Sequence, residues 1–86
     1  MSVAQYRAMP TVLREGPYRF FFYSSDGAEP PHVHVQRDDA IAKFWLEPVR
    51  YDYSAGLRPV EIRRIQAIIG KHRNLILDAW NDHFSQ

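Results

Sequence analysis

The apolar residues of this 86-residue chain change their period once, and that change limits the fold more than any short motif does. Ahead of Ser54 the apolar runs alternate with polar residues or are apolar throughout; from Pro59 onwards they fall three and four apart. Alternation sends every second side chain to one face of a strand, whereas three–four spacing builds one stripe along a helix. His32-Val33-His34-Val35-Gln36 and Ile41-Ala42-Lys43-Phe44-Trp45-Leu46 alternate on either side of Asp38-Asp39. A two-residue turn there pairs them as a hairpin with Val33, Val35, Ala42 and Phe44 on a core face. His32, His34, Gln36, Ile41, Lys43 and Trp45 share the other face, with His34 opposite Lys43 and His32 opposite Trp45.

The flanking segments extend this sheet. Thr11–Arg14 reads as a short strand closed by the turn signal Glu15-Gly16-Pro17. Tyr18–Tyr23 is apolar on both faces, so it needs cover on both sides or a second subunit against one of them. Ser24–Pro31 is a loop by composition, and Arg50–Tyr53 reads as a fifth, edge strand. In the C-terminal part Ile62, Ile65, Ile69, His72, Ile76, Ala79, Trp80, His83 and Phe84 form the stripe, with Ile68 and Leu75 widening it. Pro59 suits a first helical position, and Glu61 lies in the first turn, where a carboxylate is favoured. The predicted fold is α+β: an antiparallel sheet of four or five strands with a long C-terminal helix packed on one face. A break near Gly70–Asn74, giving two helices, is the alternative. Residues 1–8 read as a loose lead-in and residues 9–86 as one domain.

Composition removes several function classes. There is no cysteine, hence no disulfide, no thiolate nucleophile and no cysteine-based metal site, which fits a reducing compartment. A net charge of +1 creates no strong field towards nucleic acid, and no apolar run is long enough to span a bilayer. A cytoplasmic location, without membrane contact, is the resulting expectation. Residues 58–73 nevertheless carry Arg58, Arg63, Arg64, Lys71 and Arg73 against Glu61 alone. Such a basic helix face is either solvated or contacts an acidic partner such as RNA. His72 reads as a buried, hydrogen-bonded core residue, and His83 favours the helix C-terminus electrostatically. Gly-rich phosphate loops and nucleophile elbows are missing from the sequence.

The His/Lys/Trp face carries three readings. In the first, His32 and His34 act as general base and acid on a phosphodiester while Lys43 stabilises developing charge, and Trp45, Tyr23 or Tyr53 stacks a base. In the second, the two imidazoles bind a divalent metal with Glu29 or Asp26 from the preceding loop as the carboxylate ligand. In the third, both histidines simply stand on a solvated strand face, one of them stacked on Trp45.

The segments Met9–Arg14, Tyr18–Ser24, Glu29-Pro30-Pro31-His32-Val33-His34-Val35, Ala42-Lys43-Phe44-Trp45-Leu46 and Ala79-Trp80-Asn81 resemble the bacterial family designated domain of unknown function 4160, over about Met9 to Phe84. The resemblance implies a prokaryotic, cytosolic protein encoded beside a second small protein, in pairs commonly labelled toxin–antitoxin-like. Relatives tend to carry glycines where this chain has Asp38-Asp39, and a Ser-type cap where it has Arg58. Taken together, the leading expectation is a toxin-like component of a two-protein module: a metal-independent endoribonuclease with His32, His34 and Lys43 catalytic and Trp45, Tyr23, Arg63 and Arg64 binding substrate. The alternative is a non-enzymatic protein-binding or dimerisation module. A metal-binding protein using His32, His34 and Glu29 is third. No cofactor is expected; the expected partners are the small cognate protein, a second copy and RNA.

Overall fold

The hairpin around Asp38-Asp39 forms with the expected register. In the computed structural model, which describes residues 11–84, His34 lies opposite Lys43, His32 opposite Trp45, Val33 opposite Phe44 and Val35 opposite Ala42. Asp38 takes φ 53°, the left-handed conformation that a tight turn needs and that Asp tolerates. The lead-in expected over residues 1–8 lies outside the described residues.

Five strands follow one another in chain order: β1 (Leu13–Glu15), β2 (Tyr18–Phe21), β3 (His32–Arg37), β4 (Ala40–Leu46) and β5 (Val49–Ala55). Each pairs antiparallel with the next, so the sheet is a meander ordered β1-β2-β3-β4-β5. A single 3-10 turn, Asp26–Ala28, interrupts the β2–β3 connection. A bulge in the β4–β5 ladder sits beside Lys43 and Phe44. Gly56, just after β5, has φ +83°, and a Cβ there would stand 3.2 Å from that of Ala40. The chain therefore needs glycine to leave the sheet at this point.

The helical segment is two helices, α1 (Pro59–Lys71) and α2 (Arg73–Phe84). They part at His72, whose φ of −109° is non-helical, while Gly70 stays inside α1. Arg58 precedes α1 in extended conformation, and its N–H donates to Glu61 Oε2 at 3.4 Å. Glu61 thus does the capping that the arginine side chain cannot.

One face of the sheet meets both helices. Tyr18, Phe20, Phe22, Val33, Val35, Ala42, Phe44 and Leu46 from the strands close on Ile65, Ile68, Ile69, Ile76 and Trp80. Each large side chain sealed this way contributes about 1.5–3 kcal/mol relative to exposure. The stripe keeps its phase across the break at His72, with Ile76 and Trp80 buried as the spacing predicts, but Leu75, expected to widen it, is 48% exposed. His72 itself is half-buried at the junction, with Nε2 3.0 Å from Glu15 Oε1, rather than enclosed in the core.

The double-sided apolar strand is covered within the chain. Phe20 and Phe22 face the helices, and Phe21 points the other way yet is only 3% exposed. The Arg19 guanidinium lies 4.4 Å over the Phe21 ring, and Tyr23 and His34 pack beside it at 5.2 and 5.8 Å. A second subunit is therefore not needed to bury this run, and the expectation of one loses that support.

A charged clamp fixes α1 to the sheet. Arg37, at the end of β3, donates from Nε to Glu61 Oε1 at 2.6 Å and from Nη2 to Oε2 at 3.1 Å, and the Tyr18 hydroxyl adds a third bond at 3.2 Å. The Arg37 bond holds the Glu61 carboxyl below its ordinary value of 4.5, against the opposing effect of burial. A carboxylate favoured in this way stabilises the fold above pH 4.5 and loses that contribution as pH falls through its depressed value. A Glu61→Gln variant is accordingly expected to unfold at lower urea than wild type near neutral pH. The gap should narrow in acid below pH 4.5. Urea titrations at a series of pH values check this, and a gap that stays constant into acid would show that the charge contributes nothing.

Candidate functional site

The β2–β3 loop decides what the two histidines face. Its 3-10 turn is held by a side-chain bond back to the chain, in which the Tyr23 N–H, three residues earlier, donates to Asp26 Oδ2 at 2.7 Å. That bond aims the Asp26 carboxylate back at the start of β3. His32 Nε2 comes within 3.1 Å of Asp26 Oδ1, and His34 Nε2 within 3.1 Å of Oδ2. The two imidazole nitrogens and the carboxylate oxygen all lie within 4.8 Å of one another. His32 and His34 are two residues apart on one strand, so both rings reach the same side and stand edge to face at 5.1 Å.

The cluster is closed from three directions. His32 is 1% exposed, walled by Trp45 at 5.5 Å and by Trp80 of α2 at 5.1 Å between ring centroids. Tyr23 covers the edge of His34 at 4.7 Å, leaving that side chain 12% and the Asp26 carboxylate 10% exposed. The end of α2 also presses on the turn: a Cβ added to Gly27 would stand 2.7 Å from Phe84 Cδ1, so only glycine fits there without moving that ring. The third reading, a solvated strand face, fails at His32, because the Ser24–Pro31 loop and Trp80 enclose it.

Protons are short in this arrangement. The His32 Nδ1–H donates to the Pro30 carbonyl at 2.9 Å, which leaves Nε2 without a proton in the neutral ring. Nε2 then confronts a carboxylate oxygen, and two acceptors at 3.1 Å repel unless a proton or a cation stands between them. Burial works against ionisation of Asp26, but hydrogen bonds from the two imidazoles, when each Nε2 carries a proton, and from the Tyr23 N–H outweigh this and hold the carboxyl well below the usual range. Asp26 is therefore an anion at neutral pH.

The other expected site residues are placed differently. Lys43 lies opposite His34, as expected, but is engaged: Glu29 Oε1 at 2.7 Å, Asp52 Oδ2 at 3.5 Å and the Trp45 ring at 4.4 Å surround its ammonium. Desolvation works against its charge, yet these carboxylates hold it above the ordinary lysine value. Glu29 binds Lys43 and stands 3.8 Å from His32 Nδ1, the nitrogen already committed to Pro30, so Asp26 is the carboxylate that both histidines share. Arg63 and Arg64 are exposed on α1, a helix packed against the opposite face of the sheet, and are not brought to the cluster. Trp80 and Gly27 join the site as wall and contact point. Nothing in their spacing advertises this, since Trp80 sits in the helical stripe as a core residue would.

Comparison with known families adds one result. The model of a domain of unknown function, DUF4160, matches residues 18–81, well over half of the chain. The chain belongs to the DUF4160 family. The matched span contains Asp26, His32, His34, Lys43, Trp45 and Trp80. No curated protein and no solved structure matches the chain.

Proposed function

We propose that this DUF4160 domain is a metal-binding protein in which Asp26, His32 and His34 hold one first-row divalent ion. The observation that carries the reading is the convergence of two Nε2 atoms on one buried carboxylate with the His32 Nδ1–H already spent on Pro30. A backbone carbonyl on the far nitrogen is the usual second partner of a metal-bound imidazole, and it fixes Nε2 as the ligand atom. Ligands about 2.0–2.1 Å from a tetrahedral ion stand roughly 3.3–3.4 Å from one another. The Nε2 atoms of His32 and His34 stand 3.1 and 3.3 Å from one and the same oxygen, Asp26 Oδ1, within a few tenths of that edge. Imidazole and carboxylate together suit zinc and its neighbours, not magnesium or calcium. Three protein ligands would leave a further position for water, and the ion would supply Lewis acidity there.

Metal-independent cleavage of RNA by His32, His34 and Lys43 has less support. A general base must reach the proton it removes, and His32 is sealed while Lys43 is neutralised by Glu29 and Asp52. We retain the cytosolic, two-protein setting that the family resemblance implies, with the metal-bound domain beside a small cognate protein. Isothermal titration of the chelator-treated protein with Zn2+ at neutral pH is expected to give one ion per chain and no heat with Mg2+. Zinc at roughly 100 times its Kd should stabilise the fold by about 2.7 kcal/mol. For a domain of this size that raises Tm by about 10–20 °C. Absence of zinc binding would overturn the proposal and leave the cluster as a proton-held ion pair. RNA cleavage that survives EDTA but not His34→Ala would overturn it in favour of acid–base catalysis.

A further inference from the structure

The sheet has two edges, and they are finished differently. β1 is three residues long, a common way of blunting an edge. β5 runs for seven residues, Val49–Ala55, and no further strand lies beyond it among the described residues. Its side chains from Arg50 to Tyr53 are all exposed, with Tyr51 at 42% and Tyr53 at 46%. An unprotected strand of this length is a template for another strand.

The side chains of β5 say which strand fits. Arg50 lies opposite Trp45, with its guanidinium 5.9 Å from that ring, and Asp52 reaches Lys43 at 3.5 Å, so both project on the face that carries His34. Tyr51 projects on the other face, 5.7 Å from the Phe44 ring. In a sheet continued by a second copy about a twofold axis, facing residues must point to the same side, so the axis passes through a residue. An axis through Arg50 sets arginine against arginine, and one through Asp52 sets aspartate against aspartate. An axis through Tyr51 sets Arg50 of each copy against Asp52 of the other, twice, and brings the two Tyr51 rings side by side, the bulge at Asp52 confining this regular pairing to residues 50–52.

We propose that β5 pairs antiparallel with β5 of a second copy about a twofold axis at Tyr51, joining the two sheets into one. The surface is self-complementary in charge in this register alone, which favours a second copy over an unrelated strand. The inference is independent of the metal site, since it uses neither histidine nor Asp26.

Sedimentation velocity over roughly 10 µM to 1 mM protein tests it, with a concentration-dependent dimer expected for wild type. Asp52→Arg places like charges opposite each other twice and should weaken the dimer roughly tenfold or more, and Arg50→Asp should do the same from the other side. The double variant carrying both changes restores opposite pairs and should recover the wild-type dimer. Circular dichroism on each variant confirms that the chain still folds. A wild type that stays monomeric throughout overturns the proposal, including the case in which the edge serves another protein. A dimer indifferent to both single reversals, or a folded double variant that remains monomeric, overturns it as well.

Discussion

Asparagine in place of Asp26 is expected to abolish useful zinc affinity while leaving the domain folded. Structural zinc sites bind with about 10–16 kcal/mol shared among four ligands, or about 3–4 kcal/mol each. Loss of one ligand then weakens binding by roughly a hundredfold to a thousandfold. The fold survives for a specific reason. The amide oxygen can still accept the Tyr23 N–H that holds the 3-10 turn at 2.7 Å, and the amide N–H2 can donate to an imidazole Nε2 that otherwise lacks a proton. Asp26→Asn thus meets the hydrogen-bonding needs of the metal-free cluster and removes the anion that a cation requires. Zinc titration read beside urea unfolding gives both quantities. Unchanged zinc affinity in the variant would remove Asp26 from the ligand set, and loss of folding would assign the carboxylate a structural role instead.

The largest effect on stability is expected at Trp80. Its side chain is 5% exposed and packs on Phe22 at 5.3 Å, His32 at 5.1 Å and Phe84 at 4.3 Å between ring centroids. Truncating a buried tryptophan to alanine costs about 3–5 kcal/mol, because transfer free energy is lost and a cavity remains. Small domains have only about 5–15 kcal/mol in total. Trp80→Ala should therefore lower Tm by at least about 12 °C, or leave the chain unfolded at 37 °C. The same variant opens one wall of His32, so zinc affinity should fall although no ligand is touched. Thermal melts with and without zinc check both parts. A drop in Tm below about 4 °C, the equivalent of about 1 kcal/mol, would mean that α2 is anchored elsewhere.

The sheet was legible wherever a period constrained it. Alternation on both sides of Asp38-Asp39 leaves a single register that keeps Val33, Val35, Ala42 and Phe44 inside, because slipping by one residue would expose all four. Pairing of His34 with Lys43 and His32 with Trp45 follows from that register and is what the structure shows. Loops carry no such period. Whether Asp26 or Glu29 reaches the histidines depends on a single turn of 3-10 helix and one bond from Tyr23, and composition does not encode either. Ser25-Asp26-Gly27 is a turn signal in which Asp binds its own backbone, and that is the trace of the site in the sequence. Leu75 differs for a related reason: it stands at the margin of a stripe whose centre, Ile76 and Trp80, is buried as the spacing predicts, and periodicity alone does not fix where such a margin ends. The enclosure of His32 by Trp80 joins residues far apart in the chain, and a contact of that range leaves no mark in either local pattern.

The meander order of the strands bears on the time course of folding. Each strand pairs with its neighbour in the chain, so every ladder closes a short loop and the sheet can zip without waiting for distant segments. Trp80 against His32 and Phe84 against Gly27 belong to a different class, since they join α2 to the first half of the chain. Their loop-closure entropy is larger than that of any ladder in the meander, by about 0.6 kcal/mol for each doubling of the loop. Pairing of the strand that presents His32 and His34 therefore does not by itself enclose them; it is α2, through Trp80, that takes His32 out of water.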